Sequence, residues 1–114
     1  MEEVNELKDA IIKSLDDNKA ENIVVVDLAG KSTLADYMIV ASGNVSRHVV
    51  ALAEHLLQDL KDQYDLSIKA EGLKEGDWVL IDAGDILIHI FRPEVRDFYK
   101  IEKLWQANFF PNDH

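Results

Sequence analysis

Residues 77–91, DWVLIDAGDILIHIF, hold two β-branched apolar runs split by Ala83 and Gly84, and this stretch narrows the possible folds more than any other in the chain. A break this short cannot hold a crossover, so the runs must turn back on each other as an antiparallel hairpin, with Gly84 free to take a positive φ. Trp78 to Ala83 then forms one strand and Asp85 to Phe91 the next. Side chains alternate across a sheet, so Val79, Ile81 and Ala83 share a face with Ile86, Ile88 and Ile90. That face is core. The opposite face carries Trp78, Leu80 and Asp82 with Leu87, His89 and Phe91, a mixture of apolar and polar groups typical of a protein-contacting surface. A C-terminal helix bearing Phe98, Tyr99 and Trp105 is the other way to cover it, and the pattern leaves both readings open.

The flanking segments supply the rest of an α+β sheet. Val4, Leu7, Ile11 and Leu15 recur at helical spacing and predict an N-terminal helix over residues 1–18. Ile23 to Val26 does not alternate and reads as a short strand buried on both faces, followed by a second at Asp36 to Ser42 closed by Gly43 and Asn44. Ser46 is placed to cap a long helix with apolar positions Val49, Leu52, Leu56 and Leu60, and Tyr64 lies near its end. Ser67 to Glu71 is a further strand candidate, and Pro93 suits the first turn of the last helix, where its missing N–H has no partner to lose. Strands on both sides of the long helix imply a mixed sheet of about five strands with helices packed on it, in the α/β or α+β class. Residues 1–114 make one domain, with 106–114 as a short tail.

Composition narrows the function. The net charge is −10, and residues 1–27 hold eight acids against three lysines, which disfavours a broad basic face for nucleic acid and suits a basic protein partner. Without cysteine there is neither a disulfide framework nor a thiolate metal site. No stretch approaches the roughly 20 apolar residues of a membrane span, and the acidic start does not resemble a signal peptide, so a cytoplasmic protein with no membrane role is expected.

Signals for chemistry fail at required positions. AGKST, residues 29–33, invites a phosphate-loop reading, but the earlier glycine of that loop is replaced by Val25, leaving Lys31 and Ser32 as turn residues. His48 and His55 are two helical turns apart, too far to share one ion, and no metal site is expected. Asp27, Asp36, Asp77, Asp82 and Asp85 fall near strand ends, where phosphoryl-transfer enzymes place carboxylates, yet none forms a D-x-D pair. Asp82 and Asp85 flank the hairpin turn, where aspartate commonly binds backbone N–H groups. A metal-dependent nucleotidyltransferase or nuclease using Asp36, Asp82 and Asp85 is the alternative to a binding function.

Three segments in order, DYMIVASGNVSRHVVALAEHL (36–56), DWVLIDAGDILIHIF (77–91) and RDFYKIEKLW (96–105), resemble the Iojap family of ribosomal silencing factors, RsfS. The likeness runs from about Asn22 to Trp105. It implies a nucleotidyltransferase-like fold without catalytic motifs or cofactor, and no enzymatic activity. It further implies binding to the large ribosomal subunit through ribosomal protein uL-fourteen, which blocks subunit joining and represses translation under nutrient limitation. The residues carrying the resemblance are Asp36, Tyr37, Gly43, Ser46, Arg47 and His48, then Trp78, Asp82, Gly84, Asp85 and His89, then Arg96, Tyr99 and Trp105. Gly43 and Gly84 are expected to serve turns and Ser46 a cap. Trp78, Leu80, Asp82, His89, Phe91 and Tyr99 are the expected partner-binding residues, with Arg47 and His48 beside them. A homodimer through the same apolar strand face is also expected.

Overall fold

A computed structural model describes residues 2–99. The first helical stripe forms α1 (Glu2–Asp17), which buries Val4, Ile11 and Leu15, and the second forms α2 (Ser46–Tyr64), which buries Val49, Leu52, Ala53, Leu56 and Leu60. The chain leaves α2 through Asp65, whose φ of 56° lets the Leu66 N–H return to the Leu60 carbonyl at 3.2 Å. A seven-residue helix, α3 (Pro93–Tyr99), begins at Pro93 as its sequence predicts.

The strands are β1 (Glu21–Asp27), β2 (Tyr37–Ser42), β3 (Ala70–Glu71), β4 (Trp78–Asp82) and β5 (Ile86–Phe91). They form one mixed sheet in the order β1-β2-β5-β4-β3. Among the described residues, only β2 and β5 pair in parallel, and the chain reaches β5 by way of α2, β3 and β4. The predicted hairpin is present, with Trp78 opposite Phe91 and Asp82 opposite Leu87. Gly84 has a φ of 85°, and its N–H donates to Asp82 Oδ1 at 2.9 Å, closing the turn.

Ile39, Ala41, Val79, Ile81, Ile86, Ile88 and Ile90 meet α1 and α2 in the main core. The opposite face gathers Val26, Leu28, Ala35, Met38, Val40 and Phe91 into a second cluster, with Trp78, Leu87 and Val95 half-buried against it. The sheet is thus packed on both sides, whereas the sequence predicts only one plain core face.

Three local expectations need correction. First, β1 is not buried on both faces: it is an edge strand in which Val25 is 37% exposed and the register slips between Glu21 and Val24. Its valines report strand preference, which an edge position satisfies as well as a central one. Second, the Ser67–Glu71 strand shrinks to Ala70–Glu71, paired only with Ile81 and Leu80, leaving exposed Ser67 and Lys69 outside the ladder. Third, Ser46 does not cap α2: the cap position is held by Val45, which has no hydrogen-bonding side chain, and the Ser46 hydroxyl donates to Asp77 Oδ1 at 3.4 Å. Gly43 likewise has no positive φ. A side chain there would come within 2.8 Å of the Val49 backbone nitrogen, so close approach of β2 to α2 explains the glycine.

Candidate functional site

The hairpin register decides what lies together on the second face. Trp78 faces Phe91 directly and reaches His89 on the diagonal, since Leu80 is the residue opposite His89. The three rings form a cluster: Trp78 and Phe91 centroids are 4.8 Å apart, Trp78 and His89 5.8 Å, and His89 stacks on Phe91 at 5.9 Å and 9°. The Trp78 indole N–H donates to His89 Nδ1 at 2.9 Å. An indole nitrogen can only donate, so Nδ1 must carry a lone pair and the ring proton sits on Nε2. Burial holds the His89 imidazole at a pKa of about 4, far below its ordinary 6.5, because the imidazolium loses its solvation there. The accepted hydrogen bond favours the same neutral form.

Exposure divides the expected partner-binding residues. Trp78 and Leu80 are half-buried, and Asp82 is exposed at the turn. His89 and Phe91 lie on the expected face but are only 6% and 0% exposed, so they shape the surface from beneath. Tyr99 ends α3, but its side chain lies outside the described residues, as do that of Phe98 and the whole of Trp105. Arg47 is exposed in the first turn of α2, beside Asn44, Val45 and Arg92 in a shallow depression. His48 is occupied internally: Nδ1 accepts the Asn44 N–H at 2.9 Å, and Nε2 lies 3.0 Å from the Asn18 carbonyl. It ties the end of α1 to the loop before α2.

Two polar clusters frame this face, and the residue types alone do not reveal them. Arg96 is 7% exposed and donates through Nη1 to Ser42 Oγ at 2.8 Å, anchoring α3 over the end of β2. Arg92 Nε donates to Asp77 Oδ1 at 2.8 Å, and the Arg92 N–H to the Asp77 carbonyl at 3.0 Å. Asp77 and Arg92 occupy the next pairing position outward from Trp78 and Phe91, so the hairpin register, extended by one step, is the signal that finds them.

Two of the strand-end aspartates, Asp27 and Asp82, use their carboxylates on the backbone. Asp27 Oδ1 accepts the Ala29 N–H at 2.9 Å, as Asp82 does for Gly84, and the Asp36 N–H donates to the Asp85 carbonyl at 2.7 Å. Asp36 and Asp85 precede β2 and β5, at the opposite end from the carboxyl edge where parallel strands gather ligands. Among the described residues, no three His, Asp or Glu side chains come together as metal ligands. The AGKST segment forms a turn in which the Lys31 and Ser32 N–H groups both reach the Leu28 carbonyl. No described helix is long and apolar enough to cross a membrane.

Known proteins share this sequence and fold. A family described as "Ribosomal silencing factor during starvation" matches residues 1–113. The ribosomal silencing factor RsfS of Zymomonas mobilis is 53% identical over 95 residues, 83% of this chain and 71% of that protein. The mouse protein named mitochondrial assembly of ribosomal large subunit protein 1 is 32% identical over 105 residues, covering 90% of this chain and 46% of its own length. A crystal structure of a Chromobacterium violaceum protein, 40% identical, superposes with a TM-score of 0.86 over 90% of this chain and 85% of that one. The chain belongs to the family of ribosomal silencing factors.

Proposed function

We propose that this protein is a non-catalytic, cytoplasmic repressor of translation that binds the large ribosomal subunit through uL-fourteen and blocks joining of the small subunit when nutrients run short. The observation that carries this reading is the half-buried Trp78–Leu80 surface next to exposed Asp82 on the second face of the sheet. An aromatic anchor set among apolar neighbours with a polar rim is the arrangement that concentrates binding energy at protein interfaces. The charge of −10 favours a basic ribosomal protein as the partner, accelerating encounter more than it tightens the complex. The large-subunit wording of the mouse relative's name points the same way. Trp78, Leu80, Asp82 and Tyr99 make the contact, and Arg47 and His48 stand at its margin. A second copy of the chain uses the same face, so dimerisation competes with ribosome binding.

The test is a subunit-joining assay with purified ribosomal subunits and increasing protein. Joining is expected to fall in proportion to the protein bound, and Trp78→Ala to leave joining intact at the same concentration. Full inhibition by folded Trp78→Ala would move the contact elsewhere on the molecule.

A further inference from the structure

We propose that His89 is a positioning residue for the contact surface: it makes no contact with the partner, and its Nδ1 holds the Trp78 indole in the orientation that the partner meets. The proposal rests on the reading that Trp78 belongs to that surface.

A half-buried tryptophan on a strand has several rotamers open to it, and a partner that selects one must bear the entropy of fixing it. Here the choice is made before encounter. The indole N–H is committed to Nδ1 at 2.9 Å, and one face of the system is closed by Phe91, 4.8 Å from the indole centroid and 5.9 Å from the imidazole. The near-parallel stacking of His89 on Phe91, at 9°, fixes the plane of the acceptor ring and hence the direction of its lone pair. Phe91 is fully buried and His89 nearly so, so both are set by the core and cannot follow a partner. Histidine suits this place because it joins a flat, stackable ring to an acceptor nitrogen, whereas phenylalanine would keep the stacking and lose the acceptor. Since the indole N–H is satisfied inside the chain, the complementary site needs no acceptor for it.

Two variants of the full-length protein separate these roles: His89→Phe, which keeps an aromatic ring without an acceptor, and His89→Asn, whose amide oxygen replaces Nδ1. Circular dichroism and melting establish that each is folded, and proton–nitrogen NMR follows the indole N–H, with Trp78 and Trp105 distinguished by the signal lost in Trp78→Phe. In the wild type the Trp78 indole proton is expected to exchange slowly with solvent. His89→Phe is expected to speed that exchange and to weaken binding to purified uL-fourteen about tenfold, and His89→Asn to recover most of both. Unchanged indole exchange in His89→Phe, or wild-type affinity in that variant while Trp78→Ala binds weakly, would overturn the positioning role alone. Wild-type affinity in Trp78→Ala would instead overturn the surface reading, and the positioning role with it.

Discussion

The two faces of the sheet are made from the same strands by alternation and are finished differently. The first face presents Ile39, Ala41, Val79, Ile81, Ile86, Ile88 and Ile90, all 0% exposed, to two amphipathic helices. Its polar side chain on β2, Tyr37, is turned to α1, where the hydroxyl donates to Asn5 Oδ1 at 3.1 Å. The second face mixes Met38, Val40 and Phe91 with His89, Ser42 and Arg96, and leaves Trp78, Leu80 and Leu87 half-open. The difference assigns the work. The first face holds the fold through dispersion and hydrophobic burial, and the second uses a buried polar and aromatic underlayer to hold a few side chains in place at the surface.

The sharpest way to break the first face is Ile88→Ala, at the centre of β5 between β2 and β4. Removing a fully buried isoleucine costs about 3–4 kcal/mol, which urea unfolding at neutral pH should measure, and binding should follow the folded fraction only. On the second face the largest expected effect is one of pH. The folded-state pKa of His89 is lowered to about 4 from 6.5, so its neutral form contributes fully above pH 6.5. Between those values the unfolded chain takes up the proton that the folded chain refuses. Stability is therefore lost as pH falls from 6.5 to 4, by ~2 kcal/mol at pH 5 and ~3 kcal/mol in full. Unfolding of wild type and His89→Phe at pH 7.5 and pH 5 isolates this contribution, since the variant keeps every carboxylate and lacks only the imidazole. Equal acid sensitivity in the two would place the proton elsewhere. A smaller effect is expected from Asp82→Ala, which removes the acceptor for the Gly84 N–H and should cost about 1 kcal/mol of stability. If the exposed Asp82 also meets a basic partner, the same variant should lower the salt dependence of binding.

How far the sequence reached follows the same division. The helical stripes, the hairpin and the Pro93 start are local patterns with fixed periods, so they were legible without knowing what lay across the sheet. The burial of β1 was not, because a valine run looks alike at an edge and in the centre. Sequence pattern cannot place the cap because the Ser46 hydroxyl donates to Asp77, 31 residues away, instead of accepting a first-turn N–H. At the site, alternation placed Trp78, Leu80, His89 and Phe91 on one face correctly. It could not rank their exposure, since that depends on β1, the loop at Leu28 and Ala35, and Val95 of α3, which close over Phe91 from distant positions. The Arg92–Asp77 and Arg96–Ser42 pairs needed the register and the docking of α3, neither of which leaves a mark in residue type alone.

The proposed division, in which the second face binds and the first supports it, is tested most directly by the affinity of Trp78→Ala for purified uL-fourteen, measured by titration calorimetry beside its melting curve. The expected result is a folded variant with a single cooperative transition and an affinity lowered about 30-fold, as for an aromatic anchor worth ~2 kcal/mol. A folded variant that binds as tightly as the wild type would contradict the claim.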